Sequence, residues 1–198
     1  MGQKKRVILV TDGDGIAQAA VERAAKNVGG RTISLSAGNP TPLSGREIVQ
    51  EIQKASDDPV LVMVDDKGTR NKGAGERALE EIAKSPGIQI LGVIAVASNT
   101  KKVEGVPVDV SIDREGRIVP RPVDKWGKPE KPGRAKVEGD TVDILNRLDI
   151  PIVVGMGDPG KMGDADAVTK GAPITTRAVR YILENSPVVD GRENSSGG

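Results

Sequence analysis

The feature that most constrains this chain is a unit that recurs along it. Val7-Ile8-Leu9-Val10 is a short, uninterrupted apolar run, and it stops at Thr11-Asp12-Gly13-Asp14-Gly15. Ile16, Ala20, Ala24 and Val28 then follow at helical spacing until Gly29-Gly30. An apolar run without alternation, bounded by turn residues, describes a strand buried on both faces. Glycines after a helical stretch describe its C-terminal stop. Such a strand needs helices above and below it, so one unit already argues for a layered sheet.

The unit repeats. Residues 32–35 read as a second strand and residues 42–55 as a helix, with Ser44 and Glu47 in capping-box spacing. Val60 to Val64 is a third strand ending in Asp65-Asp66, residues 75–84 a helix, and Ile88 to Ala97 a fourth strand ending in Ser98-Asn99-Thr100. Then the rhythm changes. Residues 108–112 and 117–119 flank Asp113-Arg114-Glu115-Gly116 as a β-hairpin, and residues 120–139 form a loop rich in Pro, Gly and Lys. Residues 141–148 read as a helix, 152–154 as a buried strand ending in Gly155-Met156-Gly157-Asp158, and 173–185 as a last helix.

Strands alternating with helices predict a three-layer α/β fold, with a mainly parallel sheet flanked by helices and a β-hairpin insertion. This is a Rossmann-like or Toprim-like arrangement. At 198 residues the chain suits one domain, expected over residues 1–188, with 189–198 as a disordered tail. One Trp, one Tyr and no Phe leave the core to aliphatic side chains.

Composition narrows the chemistry. There is no Cys and no His, which removes disulfides, thiolate nucleophiles, Ser-His-Asp relays and the usual zinc ligands. Only an oxygen-ligand metal site remains, for Mg²⁺, Mn²⁺ or Ca²⁺. A net charge of +1 gives no global attraction to nucleic acid or to an acidic membrane surface, and no nucleic acid is expected as a partner. The longest early apolar run is too short for a secretory or spanning segment, so a soluble chain is expected, reaching a membrane only through a partner.

In parallel sheets, ligands sit beyond the carboxyl ends of the strands. Asp12 and Asp14 follow the first strand, and Asp65 and Asp66 the third, so these four are the candidate metal ligands, for Mg²⁺ or Ca²⁺. The competing reading is that each caps the next helix or closes an Asx turn. Gly13, Asn39, Ser98, Asn99, Thr100, Gly157, Asp158 and Lys161 complete the candidate ligand-binding rim, in which glycines at helix starts favour anions. The run from Gly155 to Lys161 matches neither a P-loop nor a dinucleotide fingerprint. No catalytic residue is assigned. Trp126, between Lys125 and Lys128, is either a partner hot spot or a side chain folded back on the body. The order of acidic loops resembles the Toprim domain, although Thr11 and Asp12 stand where that domain has a glutamate.

Several stretches carry a closer resemblance. They are Val10 to Asp14, Ser36-Ala37-Gly38-Asn39-Pro40-Thr41-Pro42-Leu43-Ser44-Gly45, Ile94 to Lys101, Val110 to Asp113, Gly139 to Val142, Gly155 to Met162, and Gly171 to Thr175. With them the chain resembles the soluble stage V sporulation protein AE family of spore-forming Firmicutes. The resemblance implies a non-enzymatic accessory protein of sporulation and spore germination, encoded with membrane channel proteins that move calcium dipicolinate. It implies a spore location, soluble or peripheral at the inner membrane, and a partner among the inner-membrane proteins of its operon. Self-association is left open. The alternative from the residues alone is a divalent-metal-dependent phosphoryl-transfer or nucleotide-binding domain built on the acidic rim.

Overall fold

The computed structural model describes residues 3–67, 73–98, 104–139 and 141–187. Its centre is a seven-stranded sheet built from β1 (Lys5–Val10), β2 (Arg31–Thr32), β3 (Val60–Met63), β4 (Ile88–Val96), β6 (Val110–Ile112), β7 (Ile118–Val119) and β9 (Val153–Met156). Spatial order is β2-β3-β1-β4-β9-β6-β7, parallel except for the β6–β7 hairpin. β5 (Val106–Pro107) and β8 (Lys136–Val137) form a separate antiparallel pair. The helices are α1 (Gly15–Asn27), α2 (Gly45–Lys54), α3 (Ala74–Ala83) and α4 (Pro173–Asn185). This is the three-layer α/β fold expected from the alternation of strands and helices.

Strand geometry sends successive side chains to opposite faces, and the uninterrupted apolar runs supply both cores. Val7, Leu9, Val60, Val62, Val93 and Ala95 pack with Ile48 and Ile52 of α2 and Leu79 and Ile82 of α3. Ile8, Val10, Leu61, Met63, Ile94 and Val154 pack on the other face with Val21 of α1 and Ile174, Val179 and Ile182 of α4. Helix α2 starts as its sequence dictates: Ser44 and Glu47 form the full capping box.

Three local expectations are corrected. The second strand shrinks to two residues, because Ser34–Ser36 winds into a 3₁₀ turn whose Ser36 hydroxyl bonds the Ile33 carbonyl and accepts from Met63 N–H. The helix expected at 141–148 is a 3₁₀ segment, Asp143–Arg147, where Asp143 accepts from the backbone of Glu104 and Gly105. The long loop contains β8 and ends a patch in which Val106, Val137, Val142, Ile144 and Leu145 cover the sheet where a helix is missing. The expected tail, residues 189–198, lies outside the described residues.

After β1 the chain builds β2 and β3 on one side, and from β4 onward it builds on the other. The order of strands therefore reverses between β1 and β4. Beyond the carboxyl ends of such a pair is the crevice in which open α/β sheets hold ligands.

Candidate functional site

Thr11 closes the end of β1 against β4. Its N–H donates to the Ile94 carbonyl at 3.1 Å and its hydroxyl accepts from Val96 N–H at 3.0 Å. The next residue, Asp12, therefore emerges at the switch point. Its Oδ1 accepts from Gly13 N–H (2.7 Å) and Asp14 N–H (3.3 Å), a tight Asx-type turn. Asp14 is the N-cap of α1, with Oδ1 accepting from Ile16 and Ala17 N–H, both at 2.8 Å.

The third carboxylate follows β9. Asp158 is buried; its Oδ1 accepts from Gly160 N–H at 2.8 Å and its Oδ2 accepts from Lys161 Nζ. Asp12, Asp14 and Asp158 each offer a carboxylate oxygen, and these oxygens lie within 4.8 Å of one another. Lys161 is the cation beside them, and its bond to Asp158 raises its pKa, aided by the charges of Asp12 and Asp14. Burial pushes the Asp12 carboxyl up to about 7, helped by the negative charges of Asp14 and Asp158.

The structure thus places Asp158 and Lys161, two of the expected ligand-binding residues, with Asp12 and Asp14. Asp65 and Asp66 are not part of that trio, although Asp65 packs against Gly13 of the Asp12 turn. Asp65 Oδ1 accepts from Lys67 N–H, and Asp66 accepts from Gly75 and Glu76 N–H at the start of α3. For Asp66 the capping alternative describes the geometry; Asp14 caps a helix and joins the cluster at once. The pairing with Asp158 was missed because β9 comes late in the chain. The available signal was Gly157-Asp158 closing an apolar run as Asp12-Gly13 closes the first.

Two glycines let neighbouring loops close on the site. A Cβ on Gly13 would lie 2.2 Å from the Gly38 carbonyl oxygen, so the loop bearing Asn39 packs directly on the Asp12 turn, with Asn39 itself exposed. A Cβ on Gly157 would lie 2.5 Å from Gly127 N, on the turn that carries Trp126. Asp158 N–H donates to the Lys125 carbonyl at 3.0 Å, holding that turn beside the cluster. Ser98 is half-buried and lines a cleft of about 190 Å³ with Lys125, Trp126 and Lys136. Asn99 and Thr100 lie outside the described residues.

Chemically, three carboxylates and an adjacent ammonium form a compact charge cluster. Carboxylates at this spacing suit a hard divalent cation that keeps several waters. No thiol or imidazole is present to extend the chemistry.

Fold and site together define a three-layer α/β protein whose polar groups gather at the switch point of a parallel sheet. No curated protein and no solved structure matches the chain. A family model does, over residues 6–186, and the chain belongs to that family, stage V sporulation protein AE1. Its role lies in sporulation. Among the described residues no helix is long and apolar enough to cross a membrane.

Proposed function

We propose that this chain is a non-enzymatic accessory protein of sporulation and spore germination, which docks on an inner-membrane protein of its own operon. Family membership across residues 6–186 carries this reading. The absence of His and Cys throughout the sequence supports it, since the commonest proton-transfer and nucleophilic groups are missing. The chain would work in the spore, peripheral at the inner membrane. An affinity pull-down from solubilised spore membranes, using the folded chain, tests it. The expected result is retention of an integral membrane protein of the same operon; a clean eluate in repeated trials refutes it.

The grouping of Asp12, Asp14 and Asp158 favours a second reading, divalent-cation binding at the rim, with Mg²⁺ or Ca²⁺ as the ion. It is compatible with the accessory role, in which the ion regulates docking, and with phosphoryl transfer or nucleotide binding. Thermal stability in the presence of each ion separates cation binding from a purely structural cluster.

A further inference from the structure

The turn Asp124–Lys128 combines three properties at one place on the rim. First, it is held in shape. Asp124 N–H donates to the Lys128 carbonyl and Gly127 N–H to the Asp124 carbonyl, both at 2.8 Å, while Asp124 Oδ1 accepts from Trp126 and Lys128 N–H. Gly127, at φ +73°, is wedged against Gly157, Met162 and Arg114. Second, the turn presents the only tryptophan of the chain, 47% exposed, with Lys125 Nζ 4.2 Å from the ring centroid.

Third, it is the centre of a charge imbalance. The chain as a whole carries +1, yet residues 121–134 hold five cations (Arg121, Lys125, Lys128, Lys131, Arg134) against two carboxylates (Asp124, Glu130). Both carboxylates are engaged, Asp124 inside the turn and Glu130 with Arg134. Arg121, Lys125, Lys128 and Lys131 form no ion pair among the described residues. An exposed amphipathic indole with Lys125 over its ring, and with exposed Lys128 and Lys131 in the same loop, matches a bilayer interface: the ring sits at headgroup depth, and the ammonium groups meet anionic lipid. The turn is already ordered, so little conformational entropy is lost on contact.

We infer that the Trp126 turn is a lipid-contact site for an anionic phospholipid surface. This extends the proposed inner-membrane setting by naming the surface that touches the bilayer. Vesicles of pure lipid contain no operon protein, so failure here and failure of the pull-down are separate results.

The test uses the full chain with vesicles of phosphatidylcholine alone or mixed with phosphatidylglycerol, read by co-sedimentation and by Trp126 emission. Binding to anionic vesicles alone is expected, with a blue-shifted emission and a loss of affinity at high salt. Each basic side chain near such a surface contributes about fivefold. The variant Lys125→Gln/Lys128→Gln/Lys131→Gln, shown to melt as the parent does, should therefore bind about 100-fold more weakly. Lys26→Gln/Lys54→Gln/Lys84→Gln, which removes the same charge elsewhere, should retain most of its binding. The inference is overturned by absence of binding at low salt, by binding without a change in Trp126 emission, or by equal losses in the two triple variants. Capture of a membrane protein through this turn without lipid binding also overturns it, making the turn a protein-docking surface.

Discussion

Asp12 and Asp158 follow strands that are not neighbours, since β4 runs between β1 and β9, yet their carboxylate oxygens approach within 4.8 Å. The contact spans the centre of the sheet at its carboxyl edge, and Asp14 completes it from the cap of α1. Like charges held this close raise the affinity for protons and for cations together. The predictions on Asp12, Asp14 and Asp158 follow from that.

Asp12 should couple stability to pH. Its carboxyl, pushed up to about 7 from an ordinary 3.8, binds its proton more tightly in the folded chain than in the unfolded one. The associated stability is present at low pH and is lost as pH rises through about 7. Asp12→Asn keeps an acceptor for Gly13 and Asp14 N–H and cannot ionise. Relative to that variant, the parent's melting midpoint should fall between about pH 4 and pH 7 and level off above, by roughly 2–4 °C for each kcal/mol. A constant gap across that range would show that Asp12 ionises at no cost.

Divalent cations should stabilise the chain through the same three carboxylates. At about 100 times its dissociation constant an ion adds roughly 2.7 kcal/mol, a rise of about 5–10 °C for a chain of this length. Asp14→Asn and Asp158→Asn should remove the rise, whereas Asp65→Asn should leave it. Ion affinity should increase as pH passes about 7, because Asp12 must release its proton. Differential scanning fluorimetry with Mg²⁺, Mn²⁺ and Ca²⁺ checks all three statements, and loss of the effect in Asp65→Asn alone would move the site.

Much of the architecture was legible in the sequence, because the two-sided burial of a parallel sheet needs apolar runs such as Val7 to Val10 and Val60 to Val64. The capping box at Ser44 and Glu47 was legible for the same local reason. What local pattern could not convey was pairing at a distance. Local pattern offered both readings for Asp65 and Asp66, metal ligand or Asx turn and helix cap, and could not choose between them; the bonds to Lys67, Gly75 and Glu76 N–H follow the second. Nothing near Asp158 reveals that β9 enters beside β4. The shortened second strand likewise reflects a tertiary bond, from Met63 N–H to Ser36.

Asp166 should prove structural. It is 3% exposed, and it accepts from Ile174 N–H, Thr175 N–H and the Thr175 hydroxyl at the start of α4. Asp166→Ala strands those donors and should cost about 2–3 kcal/mol, read as a lower urea midpoint with cation response retained. A neutral outcome would mean that water replaces the carboxylate.

Ser111 should be better replaced. Its hydroxyl is fully buried on β6 without a hydrogen-bond partner among the described residues, facing Gly155 of β9. Ser111→Ala removes an unsatisfied polar atom and leaves little empty space, so stability should rise by about 1 kcal/mol. Destabilisation in a urea titration would point to a partner for that hydroxyl.

Gly13→Ala should loosen the rim. The added methyl would meet the Gly38 carbonyl oxygen at 2.2 Å, forcing the Asn39 loop away from the Asp12 turn. Overpacking of this kind costs about 1–3 kcal/mol, and the cation response should weaken with it. Retention of both melting point and response would show that the loop yields freely.

The position of β9 between β4 and β6 has a consequence for how the chain is made. Both neighbours precede it in sequence, and it pairs with each in parallel. Until residues 153–156 leave the ribosome, β4 and β6 each present an open edge to the gap, and Asp12 and Asp14 lack their third carboxylate. The sheet is then completed by insertion rather than by addition at a margin. Maturation of the site is thereby tied to the synthesis of residues 153–158, and a nascent chain that stalls before that point exposes two unprotected strands to its surroundings.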